Sequence, residues 1–175
     1  MKFRILIPLI AAAFLLSGLA VAQNKPDAGK SDPLSLVKIA ANVARNTQHQ
    51  DLNGLLAIYI DSESWAAGLK DGDLGPFLKI KEVKPGRSAV LFFSSEKDTA
   101  ISVFFDGSSP FGMTAVNAKN GKIEAADISS AYKPVSKEML KDAGELQFTN
   151  VDLSTDDGQA LTAFQITSAG KKATN

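Results

Sequence analysis

The stretch from Ser88 to Gly107 reads SAVLFFSSEKDTAISVFFDG and decides the fold class. It lies in a part of the chain, beginning near Phe77, where apolar residues recur with a period of two, which is typical of strands. Ser88 to Ser94 and Thr99 to Phe105 are both strand-length segments. The polar residues between them and Asp106-Gly107 after them are typical of turns. The stretch therefore predicts a hairpin within an antiparallel sheet.

The same pattern of strand segments and turns extends in both directions. Further strands are predicted at Phe77–Val83, before Pro85-Gly86; at Met113–Lys119 and Lys122–Ile128, joined by Asn120-Gly121; and at Leu146–Leu153 and Ala160–Thr167, joined by Asp156-Asp157-Gly158. Asn-Gly favours a two-residue hairpin turn because both residues tolerate positive φ angles. The order of these segments predicts an antiparallel meander.

Two of the predicted hairpins have similar local sequences. Phe93 to Phe105 aligns without gaps with Leu153 to Gln165 at an offset of 60 residues, and three positions are identical. Two hairpins that share turn chemistry account for this similarity. An internal duplication is the alternative.

A helix is predicted ahead of the strands. Asp32 is an N-cap residue followed by Pro33 at the first helical position, and the helix is expected to continue to about Asn46. Its polar residues recur at intervals of three and four and form one narrow, solvated stripe: Ser35, Lys38, Asn42 and Arg45. The remaining, apolar surface predicts a mostly buried helix.

Two shorter segments complete the expected fold. Asp51 could cap a second helix, although Leu55–Ile60 also suits a buried strand, and periodicity leaves both open. Ser136 is expected to cap a short helix that ends at Ala143. The predicted class is α+β, with N-terminal helices packed on one face of an antiparallel β-meander.

The N-terminus has the pattern of a cleavable signal peptide. Lys2 and Arg4 precede an apolar run from Ile5 to Leu16, which is too short to span a bilayer. Small residues in Ala20-Val21-Ala22 predict cleavage before Gln23. The expected organisation is a signal peptide at 1–22, a flexible leader at 23–31, one domain at 32–168 and a flexible tail at 169–175. The chain is therefore expected to be periplasmic or secreted, without stable membrane insertion after cleavage.

Composition narrows the classes of partner. The predicted signal peptide holds two of the 19 cationic and none of the 19 acidic residues, so the mature chain has a small negative net charge. Nucleic-acid binding requires a basic surface and is not expected. The chain has no cysteine, and 45 % of its residues are hydrophobic, so stability is expected to come from burial alone.

Searches for known chemical motifs yield no catalytic residue, metal site or cofactor. His49 is the only histidine and lies in a polar stretch. Ser35 and Lys38 match S-x-x-K, but the companion motifs are missing and both residues lie on the solvated stripe. The acids of the predicted turns, Asp71, Asp73, Asp156 and Asp157, lack the spacing of a calcium loop.

The paired aromatic residues give the candidate binding residues. Phe92-Phe93 and Phe104-Phe105 place neighbouring rings on opposite faces of adjacent strands, because strand side chains alternate. Both faces of the sheet are therefore expected to be partly apolar. Burial inside the domain explains the rings, and the alternative is an exposed patch that binds a partner.

The same organisation resembles the N-terminal domain of the enhanced serine sensitivity (SseB) family over residues 32–131. The similar segments are Asp32-Pro33-Leu34-Ser35-Leu36, Leu55-Leu56, residues 61–68 with Trp65, the strand end Val90–Ser95, and Val116–Lys122 with Ile128. The resemblance implies an α+β interaction domain and supplies no catalytic constellation. The family is typically cytoplasmic, whereas this chain is expected to be exported.

Three functional classes follow from the sequence. The leading hypothesis is a non-enzymatic exported binding or accessory protein, which recognises an envelope or secreted protein or a small ligand through its sheet face or a sheet–helix groove. A small cofactor-free hydrolase that uses carboxylates or a serine is one alternative, and a secreted effector or immunity-type factor is another. A long unpaired edge strand would favour the binding protein.

Overall fold

The computed structural model describes residues 32–48, 51–64, 84–93, 99–117, 131–154 and 160–168. The predicted signal peptide, leader and tail lie outside these ranges. The predicted strands at Phe77–Val83 and Lys122–Ile128 and the Asn120-Gly121 turn also lie outside them.

Helix α1 spans Pro33–Gln48 and begins where the sequence predicts. The Asp32 carboxylate accepts hydrogen bonds from the Ser35 backbone N–H at 3.0 Å and from the Ser35 hydroxyl at 2.9 Å. These bonds lower the pKa of Asp32, and the nearby charge of Lys38 lowers it further. The predicted N-cap is confirmed.

Within the described residues, seven strands form one antiparallel sheet. They are β1 (Leu56–Ile60), β2 (Arg87–Phe93), β3 (Thr99–Asp106), β4 (Ser109–Asn117), β5 (Lys133–Pro134), β6 (Leu146–Ser154) and β7 (Ala160–Ser168). Their order across the sheet is β5-β4-β3-β2-β1-β7-β6. The first five strands form a meander, and the final hairpin adds β7 beside β1. The fold is therefore α+β, although the described residues contain one α-helix where the sequence predicts several.

Periodicity left Leu55–Ile60 open between a helix and a buried strand. In the structure Leu56–Ile60 forms strand β1. Ala57 faces α1, whereas Ile58 and Ile60 pack on the opposite face. β1 lies between β2 and β7 and has apolar surroundings on both sides. A strand buried on both faces has no polar alternation, so its sequence resembles that of a buried helix.

The described residues form two hydrophobic clusters, one on each face of the sheet. The helix-side cluster joins α1 residues such as Leu36 and Val37 to inward residues of the central strands, including Val90 and Val103. The opposite cluster contains Ile58, Leu91, Phe104 and Leu153 among its buried members. Both faces are therefore apolar, as the aromatic pairs predict. No helix within the described ranges has the length and apolar content needed to span a membrane.

Residues 135–145, here called the strap, connect opposite edges of the sheet. The edge strands β5 and β6 are separated by six strand spacings, which is about 29 Å. The strap crosses this distance with a single short 3₁₀ turn at Glu138–Leu140 and is extended at Lys141. The predicted helix over Ser136–Ala143 is wrong because α1 takes the backbone groups that would close it. The Ala143 N–H, which would donate to the Met139 carbonyl in an α-helix, donates to Asn42 of α1, and the Met139 carbonyl accepts from Asn46.

Candidate functional site

The four predicted binding aromatics divide between the two faces of the sheet. Phe92 and Phe105 belong to the helix-side cluster, and Phe104 belongs to the opposite cluster; each is at most 1 % exposed. Phe93 is partly buried beside the opposite cluster. A partner could therefore reach only Phe93 without opening the domain, and the four rings do not form an exposed patch.

The residues singled out for possible catalysis or metal binding are not brought together. The Ser35 hydroxyl donates to Asp32, and Ser35 and Lys38 are both exposed on α1. His49 and the acids Asp71, Asp73, Asp156 and Asp157 lie outside the described residues. Within the described ranges, no group of three or more His, Cys, Asp or Glu side chains could hold a metal ion.

Strand β6 forms one edge of the sheet. Within the described part of the chain, β7 is its only strand neighbour. β6 reads LQFTNVDLS, with Asp152 as its one charged residue, and it pairs with β7 in an unbroken register. Edge strands are commonly protected from further pairing by charged side chains, proline, a bulge or short length. β6 has one charged residue, Asp152, and has no proline, no bulge and a length of nine residues.

The hydrogen bonds of Ile166 show which backbone groups of β7 point toward β1. The Ile166 carbonyl accepts from the Gly54 N–H at 2.9 Å, and its N–H donates to the Leu55 carbonyl at 3.0 Å. Backbone groups alternate between the two sides of an antiparallel strand. The odd-numbered residues of β7 therefore direct their N–H and C=O groups toward β6.

The register then shows which groups of β6 are left at the edge. Gln165 of β7 pairs with Thr149 of β6, so the odd-numbered residues of β6 bond to β7. The even-numbered residues, which include Phe148, Asn150 and Asp152, direct their N–H and C=O groups away from the sheet. Their side chains lie on the face that carries α1, where Phe148 packs against the helix-side cluster.

A groove of about 290 Å³ adjoins this edge. Its walls come from α1, from the end of the strap and from the start of β6. The lining residues are Lys38, Ala41, Asn42, Asp142, Gly144, Glu145, Leu146 and Phe148. Its lining combines the apolar side chains of Ala41, Leu146 and Phe148 with charged side chains of both signs. An added strand beside β6 would direct alternate side chains toward this groove.

Polar side chains of α1 hold the strap that forms one wall of the groove. Asn46 Nδ2 donates to the carbonyls of Met139 and Lys141, at 3.1 and 2.7 Å. Asn42 Oδ1 accepts from the Ala143 N–H at 3.2 Å.

Arg45 Nη1 adds a further bond, to the Gly144 carbonyl at 3.2 Å. Part of the polar stripe predicted to be solvated is therefore used to bind backbone groups of the strap. The strap and α1 together define the shape of the groove.

Sequence reasoning did not identify the groove or the β6 edge. The hairpin itself was predicted, but its position at the edge depends on pairing between β1 and β7, which are more than 100 residues apart. Two features of the sequence could have indicated them: the polar stripe of α1, which contains Asn42 and Arg45, and the absence of proline and lysine from β6.

No family model, curated protein or solved structure matches this chain. The resemblance to the SseB family and the exported location therefore remain predictions from the sequence.

Proposed function

We propose that this chain is a non-enzymatic binding protein that accepts an extended segment of a partner polypeptide as an additional strand beside β6. The observation that supports the proposal is the row of outward N–H and C=O groups on β6, next to the groove between α1 and the strap. Strand addition supplies affinity through main-chain hydrogen bonds and specificity through side-chain pockets. The edge and the groove provide these two elements side by side.

The length and chemistry of β6 support this mode of binding. Leu146–Ser154 is long enough for several pairs of main-chain hydrogen bonds. Phe148 offers an apolar cross-strand neighbour on the groove side. Val151 offers one on the other face, where it packs against the opposite cluster. Cross-strand apolar pairs stabilise a sheet in addition to its ladder of hydrogen bonds.

A proline substitution at Asn150 tests the role of the edge. Asn150 pairs with Phe164 but directs its N–H outward, so Asn150→Pro removes an outward donor without removing a bond to β7. Asn150→Ala is the matched control because it keeps the N–H. Both variants should retain the fold, as checked by urea unfolding.

Binding is measured with peptides selected from a random nine-residue display library on the purified wild-type chain. We expect the selected peptides to bind the wild type and Asn150→Ala and to lose at least tenfold in affinity for Asn150→Pro. In hydrogen exchange, they should protect the amides of Phe148, Asn150 and Asp152. Equal binding to Asn150→Pro, or selection that yields no binder, would refute strand addition at β6.

A further inference from the structure

We infer that the strand added beside β6 is β6 of a second copy of this chain, in an antiparallel register with Asn150 on the two-fold axis. This inference rests on the proposed strand addition and names the partner. It follows from the register in which the outward groups of β6 can pair with themselves. Such a pair is closed, because both copies use the same edge.

Asn150 lies at the centre of β6 and directs its N–H and C=O outward. It is the middle residue of Leu146–Ser154, so two copies placed antiparallel about it can exchange main-chain hydrogen bonds along the whole strand. An axis at Phe148 would leave only residues 146–150 paired. An axis at Asp152 would shorten the ladder equally and set two carboxylates opposite each other, which is unfavourable. The longest ladder is therefore centred on Asn150.

The side chains that meet in this register suit one another. On the groove face the two Asn150 amides lie opposite each other, and each can both donate and accept a hydrogen bond. On the other face Thr149 lies opposite Val151 of the second copy, a pair of β-branched residues that suits a sheet. No like charges are opposed, because Asp152 is the one charged residue of β6.

The groove beside β6 carries balanced formal charges. Lys38, Asp142 and Glu145 line it, and Arg45 lies at its wall through the bond to the Gly144 carbonyl. The groove therefore does not select a partner by overall charge. The position of each charge decides which segment fits.

The register brings a carboxylate of the second copy to the groove. Asp152 of the second copy lies opposite Phe148, which lines the groove together with Lys38. Even-numbered side chains of both copies lie on the same face, because the two-fold axis is perpendicular to the sheet. Each groove therefore receives one carboxylate on the side that holds Lys38, and the dimer gains two such pairs.

The size of the contact predicts a weak dimer. Nine residues form about 30 Å of edge, and a sheet with its side chains is about 10 Å thick, so the ladder buries about 300 Å² on each copy. A standard interface buries about 800 Å² on each partner. We therefore expect a dissociation constant of about 10–100 µM.

Sedimentation equilibrium of the purified chain between 1 and 500 µM tests the association. We expect monomer at the lowest concentration and mostly dimer at the highest. Asn150→Pro should weaken the dimer at least tenfold, because it removes the donor on the axis in both copies. The matched control, Asn150→Ala, keeps the N–H and should stay within about threefold of the wild type.

A single introduced thiol tests the register, since the chain has no cysteine. Asn150→Cys should form a disulfide-linked dimer in oxidised glutathione, because hydrogen-bonded residues on paired strands have Cα atoms about 5.5 Å apart, within disulfide range. Gln147→Cys is the control on the same strand and is also exposed. Its counterpart would lie opposite Leu153, about 20 Å away along the strand, and should not cross-link.

A charge swap tests the contact at the groove. Lys38→Glu and Asp152→Lys should each weaken the dimer about fivefold, because each sets like charges against each other twice. The double variant should regain most of the wild-type affinity. Absence of any such recovery would refute the placement of Asp152 beside Lys38.

The outcomes separate this inference from the proposed function. A chain that stays monomeric at 500 µM, while library-selected peptides bind the wild type and not Asn150→Pro, would refute self-pairing and leave strand addition standing. A dimer that persists in Asn150→Pro and is not cross-linked by Asn150→Cys would also refute self-pairing. A monomeric chain that binds no peptide would refute both proposals.

Discussion

Gly112 offers a sharp test of packing on the face of the sheet opposite α1. It lies in β4, opposite Phe104 of β3 and Pro134 of β5. A Cβ at this position would overlap Cε2, Cζ and the hydroxyl of Tyr132. The Tyr132 ring therefore occupies the space that a side chain at Gly112 would need, and Gly112→Ala should displace it.

The loss of stability in Gly112→Ala is limited by how easily the Tyr132 ring can move away. Overpacking of this kind costs about 1–3 kcal/mol in free energy of unfolding. The overlapping atoms are the far end of a partly buried side chain, so the ring can move outward. The cost of Gly112→Ala should therefore not exceed that of Tyr132→Ala, which we put at about 2–3 kcal/mol for partial loss of a buried ring.

The double mutant gives the decisive comparison. In a Tyr132→Ala background the overlap is gone, and Gly112→Ala should be neutral or should stabilise by about 0.5–1 kcal/mol, because alanine loses less backbone entropy in a strand. The expected coupling between the two sites is about 2 kcal/mol. Urea unfolding of all four proteins, followed by circular dichroism, measures it. Additivity within about 0.5 kcal/mol would refute the contact between Gly112 and Tyr132.

Two further predictions concern α1. Asn46→Ala removes the hydrogen bonds to the Met139 and Lys141 carbonyls and should lower the free energy of unfolding by about 1–2 kcal/mol, as measured in urea; a change under about 0.3 kcal/mol would contradict a role for Asn46 in holding the strap. Asp32→Ala should lower the urea midpoint at pH 7, where the ionised carboxylate accepts from Ser35. Because folding lowers the pKa of Asp32, its contribution is present above the ordinary value of 3.8 and is lost as the pH falls through the folded-state pKa, so the two urea midpoints should converge in acid. A gap that widens in acid would contradict this assignment.

The features that the sequence predicted correctly depend on neighbouring residues. Asp32 and Pro33 define the start of α1 through their own chemistry. Strand segments such as Arg87–Phe93 and Leu146–Ser154 were found within one or two residues, because turn residues bound them on both sides.

The features that were missed depend on distant parts of the chain. The strap could not be predicted from Ser136, because its backbone groups bond to polar side chains of α1, which is about 100 residues earlier in the chain. The role of Asn46 was hidden for the same reason, since its partners lie more than 90 residues later. Local propensity for helix is overridden here because distant side chains take the backbone groups that would form the helical hydrogen bonds.

The two similar hairpins show why the candidate site could not be found in this way. β2–β3 and β6–β7 share local sequence, and both form antiparallel pairs. β2 and β3 each have a second neighbour in the sheet, whereas the outer side of β6 has none among the described strands. The difference arises because β7 pairs with β1, which leaves β6 outermost. An open edge is thus a property of strand order, and the same local pattern yields a buried pair in one place and a binding edge in another.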